Sequence, residues 1–349
     1  MHYNSKFHHH KGPNLTMKNK VTIKDVARHA GVSMTTVSLI LNGKSKRFTE
    51  RTRQKVFEAR DKLNYVPDFN ARNLITNAVK TIGVIVPDIG NPFFSTFVKS
   101  IEHSAMEENY IPLILSSNAN KELELKYLDQ LVHRSVNGLI IASPSTGQKE
   151  IDSLLKKNHI PYLLIDQNSA DGDRVMTDDA LGAKLAVDHL IQLGHRKIAM
   201  IMAQNPTDNL KRRLQGYKNA LASHHIPFDE KLVIPTEMTK LGGVLAAKKL
   251  IQTEASAVLT VNDEVALGLY RGLNMAGKKI PADYSVVGYD NIDLDEYLNP
   301  PLTSIAQPIN DLGFYAFKLL CQRIDQNDGP AQEITLPVKL VVRDSTTKR

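Results

Sequence analysis

The sequence predicts an α/β protein with an all-α head. An N-terminal helix-turn-helix unit of three short helices should precede a two-lobed core of Rossmann-like parallel sheets. Three observations carry that prediction. From Thr81 almost to the end, short runs rich in Val, Ile and Leu alternate with amphipathic segments, which indicates parallel sheet covered by helices on both faces. Between Thr22 and Tyr65 apolar residues instead recur at helical spacing. The charge divides at the same place: residues 17–74 hold 13 Lys and Arg against 5 Asp and Glu, whereas residues 75–349 hold 29 against 32. A basic head on a near-neutral body is the distribution of a nucleic-acid-binding module attached to something else.

At 349 residues the chain is long enough for two or three domains. Its 42% apolar and 23% charged residues are those of an ordinary globular protein. No apolar run approaches the roughly 18 residues that span a bilayer, and residues 1–16 lack the apolar stretch of a secretory signal. A cytoplasmic location without membrane association is expected. The single cysteine, Cys321, has no internal disulfide partner and argues against a thiolate zinc site. Residues 1–16, with His8, His9 and His10, read as a disordered leader, which makes Met17 a candidate start.

In the head, Thr22 and Asp25 outline a capping box for a helix on which Ile23, Val26, Ala27 and Ala30 share a face. Gly31 supplies the tight turn. Ser33 caps a second helix, with Val37, Ile40 and Leu41 facing inward and Met34, Thr35, Ser38 and Leu39 outward. Thr49 opens a third over residues 50–64, and Pro67 ends the helical run. Two short helices about a tight turn, the second with a small outer face, fit a DNA major groove. Ser33, Thr36 and Ser38 can bond phosphates, while Lys44, Lys46, Arg47, Arg51 and Arg53 supply salt-dependent attraction. The expected DNA-binding domain is 17–65, followed by a hinge or linker over 66–79.

The strand-like runs of the core are "TIGVIVP", "IPLILSS", "GLIIAS", "PYLLID", "KIAMIMA", "AVLTVN" and "SVVGYD". They are too many for one mononucleotide-like unit. Two lobes are expected within 80–345, the first about 80–177 and 308–335, the second about 178–307 and 336–345. Ligands of open α/β sheets bind beyond the carboxyl ends of the strands. There the sequence places Asn91, Phe93 and Phe94, then Asn262, Asp290 and Gln307, with Arg213 early in the helix after "KIAMIMA". Sugar hydroxyls take bidentate partners such as Asp, Asn and Arg, and sugar C–H faces take an aromatic platform. Each residue alone also fits a bland role as helix cap, solvated cation or core ring. No G-x-G-x-x-G, H-E-x-x-H or G-x-S-x-G occurs. The segment "GLNMAGKK", Gly272 to Lys279, carries Lys where a phosphate loop needs Ser or Thr. No catalysis, cofactor or metal is expected.

The stretches "TIKDVARHAGVSMTTVSLILN", "LNYVPDFNARNL", "HLIQLGHRKIA", "RRLQGY", "NDEVALG", "SVVGYDN" and "PPLTSIAQP" resemble, in order and spacing, the LacI/GalR family of bacterial transcription regulators from about Val21 to Asp344. The resemblance implies a homodimer on double-stranded operator DNA, contacted by Thr22, Ser33, Met34, Thr35, Thr36, Ser38, Leu39, Asn42 and Thr49. It also implies that "PDFNARNL" folds into a minor-groove hinge helix, with Leu74 as the wedge between base pairs, Ala71 at the groove floor and Arg72 near phosphates. Leu39 stands where many relatives carry Arg, so a bidentate contact to guanine is missing; Met34 and Thr35 suit thymine methyls and single hydrogen bonds.

For the core the resemblance implies an effector site of Asn91, Phe93, Phe94, Thr146, Asp178, Arg213, Met238, Asn262, Asp290 and Gln307. This set is similar to the sugar site of periplasmic ribose-binding proteins, except that Met238 replaces an aromatic platform and Thr146-Gly147 an Asp-Arg pair after the third strand. The implied function is a repressor whose operator affinity is controlled by a small sugar, ribose or a related pentose. A phosphocarrier protein, as in catabolite-control members, is the alternative partner. No leucine-rich tail follows "LVVRDSTTKR", so dimers rather than tetramers are expected.

Overall fold

The computed structural model describes residues 21–65, 80–143, 147–167, 172–326 and 329–349. The expected leader and hinge, with Ala71, Arg72 and Leu74, lie outside the described residues, as does Thr146. The chain divides into two compact units, 1–78 and 79–349.

The first unit contains α1 (Ile23–Ala30), α2 (Met34–Leu41) and α3 (Glu50–Lys62). Each begins on a hydroxyl cap. Thr22 and Asp25 close a capping box, Ser33 Oγ accepts from Thr36 N at 3.1 Å, and Thr49 Oγ1 accepts from Thr52 N at 3.3 Å. Gly31, at φ 66°, takes the left-handed turn that lets α1 end and α2 begin within three residues. Val26, Ala27, Ala30, Val37, Ile40, Val56, Ala59 and Tyr65 form a core of its own. The third helix stops at Lys62, with Leu63 as its cap, short of the expected Asn64.

The second unit holds two six-stranded sheets. The first contains β1 (Lys80–Val86), β2 (Tyr110–Ser116), β3 (Gly138–Ile141), β4 (Tyr162–Ile165), β5 (Asp173–Thr177) and β11 (Glu333–Leu336) in the order β11-β5-β4-β3-β1-β2. The second contains β6 (Ile198–Ala203), β7 (Val233–Thr236), β8 (Ala257–Thr260), β9 (Ser285–Asp290), β10 (Thr303–Ala306) and β12 (Lys339–Val341) in the order β12-β10-β9-β8-β6-β7. Every pairing is parallel except β12 against β10.

The connecting helices are α4 (Pro92–Glu107), α5 (Lys121–His133), α6 (Gln148–Ile151), α7 (Asp179–Gln192), α8 (Asp208–Ser223), α9 (Lys240–Leu250), α10 (Asp263–Met275) and α11 (Ile309–Asp325). One face of the first sheet packs on α4 and α11, the other on α5 and the segment that follows α6. The second sheet is enclosed in a single large core. Val, Ile and Leu buried on both faces are why these strands read as continuous apolar runs.

The chain passes between the sheets three times: at Thr177–Asp178, at Gln307–Pro308 and between β11 and β12. Behind the second sheet, residues after β12 form a strap. Buried His195 holds it, with Nδ1 2.8 Å from Ser256 Oγ and Nε2 3.0 Å from Ser285 Oγ and 3.1 Å from Thr347 O. A carbonyl only accepts, so Nε2 carries the proton. Burial lowers the His195 pKa and keeps the ring neutral. Ser345 Oγ donates to Val286 O at 2.6 Å and accepts from Thr303 N at 2.8 Å.

Candidate functional site

On the head, α2 presents an uncharged face. Met34 is 50% exposed, Thr35 is exposed, and Ser38 and Leu39 are half-buried. Several hydroxyls are already engaged: Ser33 Oγ lies 2.9 Å from Thr36 Oγ1, and Asn42 Nδ2 donates to Ser38 Oγ at 3.3 Å. Directly after α2, Lys44 and Lys46 are exposed, as is Arg51 at the start of α3, and none makes an ion pair among the described residues. Arg53 pairs with Glu50, and Arg47 lies over the Phe48 ring at 5.2 Å. The arrangement is an apolar and hydroxyl surface flanked by unpaired cations, suited to a groove lined by phosphates.

In the core, the residues expected at strand ends fall into two groups. On the first sheet, Asn91 follows β1 and caps α4, its Oδ1 accepting from Phe93 N at 2.9 Å. Phe93 is buried in the core between sheet and helix, and Phe94 is half-buried, meeting it edge to face at 5.0 Å. On the second sheet, Arg213, Asn262, Asp290 and Gln307 are all buried and drawn together. Asn262 caps α10, with Oδ1 accepting from Val265 N at 3.0 Å. The Arg213 guanidinium lies 3.6 Å from the Tyr289 ring centroid. Its Nε donates to Asp179 Oδ1 at 2.9 Å and its Nη1 to Val261 O at 2.6 Å. Val261 precedes Asn262 and Tyr289 precedes Asp290, so one guanidinium braces both strand ends. Gln307 Nε2 donates to Asp290 Oδ1 at 2.6 Å. Asp178 caps α7 at the first crossing, Oδ1 accepting from Leu181 N at 2.9 Å. Met238 lies beyond β7 and is 40% exposed.

Burial, and then the charge of Asp263, push the Asp290 carboxyl well above its ordinary range, while Arg213 and Gln307 draw it back. For Arg213, burial is the largest single effect and disfavours the charge, but Asp179, Tyr289 and Asp290 together outweigh it, and the net pKa rises. The caps occupy one end of the Asn91 and Asn262 amides and leave their amino groups to donate. With Asp290 accepting, the surroundings suit a neutral ligand bearing several hydroxyls.

Asp166 escaped the sequence reading. It follows directly on β4 at φ 54° and accepts from Thr177 N at 3.1 Å. Burial, followed by the charge of Asp179, pushes it up to about 7. The signal is present in the sequence: Asp166 closes the run "PYLLID", a strand end like the others. Asp179 and Tyr289, which hold Arg213, carried no signal of their own.

Among the described residues no helix is long and apolar enough to cross a membrane. Residues 22–68 match the family described as bacterial regulatory proteins, lacI family, and residues 187–346 match the periplasmic binding protein-like domain. The chain is 35% identical over 333 residues to the HTH-type transcriptional regulator DegA of Bacillus subtilis, covering 94% of this chain and 98% of that one. It is 35% identical to the HTH-type transcriptional repressor PurR of Vibrio vulnificus, covering 94% and 99%. The ribose operon repressor of Haemophilus influenzae is 34% identical, with 93% and 98% covered. Among solved structures, a LacI family regulator from Enterococcus faecium with bound ribose is 43% identical, with TM-score 0.73, over 77% of this chain and all of that one. The lac repressor dimer bound to operator and an anti-inducer is 28% identical, with TM-score 0.80, over 94% and 99%. A helix-turn-helix head joined to a periplasmic-binding-protein-like core, and relatives of this identity along nearly the whole chain, place the protein in the lacI family of DNA-binding bacterial transcription regulators.

Proposed function

We propose that the protein is a transcription repressor whose homodimer binds a near-palindromic operator and whose affinity for it is set by a neutral pentose, D-ribose first, held between the lobes. The observation that carries the effector class is the buried cluster of Arg213, Asn262, Asp290 and Gln307 at the strand ends of the second sheet. It offers carboxyl, amide and guanidinium groups to hydroxyls, and Phe94, near the strand ends of the first sheet, offers a half-buried ring. The ribose-bound relative and the ribose operon repressor support the same class. Pairing of two chains is supported by Leu241 and Leu245, one turn apart on α9 and 65% and 50% exposed.

On DNA, Met34, Thr35, Ser38 and Leu39 of α2 would meet base edges, and Lys44, Lys46 and Arg51 would meet phosphates. Thr22, Ser33, Thr36, Asn42 and Thr49 would set the helix ends against the backbone. Ligand and operator binding are linked, so a ligand that prefers one angle between the lobes shifts operator affinity by its differential affinity for the two states. The test is calorimetry of the full chain with pentoses, hexoses, nucleobases and phosphosugars, alongside selection of an operator from random DNA. Heat from D-ribose together with a changed operator affinity supports the proposal. Heat from nucleobases alone overturns it in favour of a repressor with a nucleobase effector.

A further inference from the structure

Two hydrogen bonds join the three lobe crossings. Asp178 N–H donates to Leu336 O at 3.1 Å, tying the first to the third. The Thr177 hydroxyl donates to Gln307 Oε1 at 2.8 Å, tying the first to the second. Thr177 is 1% exposed and belongs to neither group of expected effector ligands. Yet it serves both lobes: its N–H donates to Asp166 Oδ1 at 3.1 Å, and its O–H fixes the amide that lies on Asp290. A primary amide has one accepting end and one donating end. With the oxygen held by Thr177, the amino group must face the Asp290 carboxylate. A β-branched side chain has few χ1 options, which makes Thr177 a stiff link between the crossing backbone and that amide.

We propose that Thr177 is a positioning residue for the effector response, holding Gln307 and Asp166 so that a hydroxylated ligand engaging Asp290 and Gln307 moves the first crossing and with it the angle between the lobes. The inference rests on the effector site proposed above. A ligand hydroxyl that donates to Asp290 Oδ1 competes with Gln307 Nε2 for that oxygen. The displaced amide stays bonded to Thr177 through its oxygen, so its movement reaches the crossing backbone. Without that hydroxyl the amide turns alone, and occupancy of the site no longer reaches the backbone.

The experiment uses the full chain, an operator selected from random DNA by the wild type, and D-ribose as probe. Operator affinity is measured with and without saturating D-ribose for wild type, Thr177→Val and Thr177→Ser, together with D-ribose affinity and thermal melting. Thr177→Val should keep ribose-free operator affinity within about twofold but reduce the ribose-induced change at least about fivefold. Thr177→Ser, which keeps the hydroxyl, should respond as the wild type does. Thr177→Ala replaces the valine variant if that one does not fold. An undiminished ribose-induced change in Thr177→Val, or a serine variant that responds like valine, overturns the proposal alone. A wild type whose operator affinity D-ribose does not alter overturns the effector reading and this proposal with it.

Discussion

Adjacent phenylalanines meet opposite fates here. Asn91 caps α4 and turns the chain so that Phe93 enters the core while Phe94 stays at the rim. Phe94→Ala should weaken D-ribose affinity about tenfold, as loss of one aromatic contact does, and leave ribose-free operator affinity nearly unchanged. Phe93→Ala should instead cost about 3–5 kcal/mol of stability, measured by denaturant unfolding. Asp166 gives a second residue-scale expectation. Its folded pKa, about 7, is raised above the ordinary value of 3.8. A raised carboxyl contributes stability that is fully present below pH 3.8 and lost as pH rises through about 7. Asp166→Asn should remove that part of the slope, so that the variant gains on the order of 1–3 kcal/mol over wild type between pH 5 and pH 8, after allowance for its partial exposure. Melting of both proteins across that range checks the sign. The caps Asn91 and Asn262 and the strand-end groups Asp290 and Gln307 were legible because strand, turn and helix signals locate them. Thr177, Asp179 and Tyr289 were not, because their roles exist only once distant strands are side by side.

Between elements, close packing is set by glycine rather than by apolar pattern. A Cβ on Gly268 would lie 1.8 Å from Lys240 O, and one on Gly243 would lie 2.1 Å from Val265 O. The α9 and α10 backbones therefore touch directly. Gly268→Ala should cost about 3 kcal/mol, because backbone cannot yield as a flexible side chain can; a calorimetric melt well below that of wild type is the expected result. Seven strands were visible as apolar runs and β10 as the strand end before Gln307, and three of the four others share a cause. β7, β11 and β12 are three- or four-residue edge strands, too short to show a period. β7 also contains Pro235, which an edge position tolerates. Inner strand β5 opens on charged "DR", since Arg323 of α11 grips Asp173 through bonds of 2.7 and 2.6 Å. Its polarity is tertiary in origin, and a local reading passes over it.

For the whole molecule, the proposed repressor needs two heads on one operator, and the exposed leucines of α9 are the face proposed to join them. Leu245→Asp should leave each chain folded but monomeric by ultracentrifugation. Operator affinity should then fall by two orders of magnitude or more, about the effective-concentration advantage of a second tethered head. The helix-turn-helix and the alternating core were readable because each repeats a strong local pattern, while the order of strands within each sheet was not, because it depends on three crossings.

Those crossings, and the strap held by His195, also fix the order in which the molecule is completed during synthesis. The head has all its core residues once Tyr65 has emerged. Neither sheet has its last strand until β11 and β12 are made, and His195 waits for Thr347. For most of its time on the ribosome the chain is thus a finished DNA reader leading an unfinished sensor. A product cut short after the head would carry the folded helix-turn-helix without the α9 face proposed to pair it with a second copy.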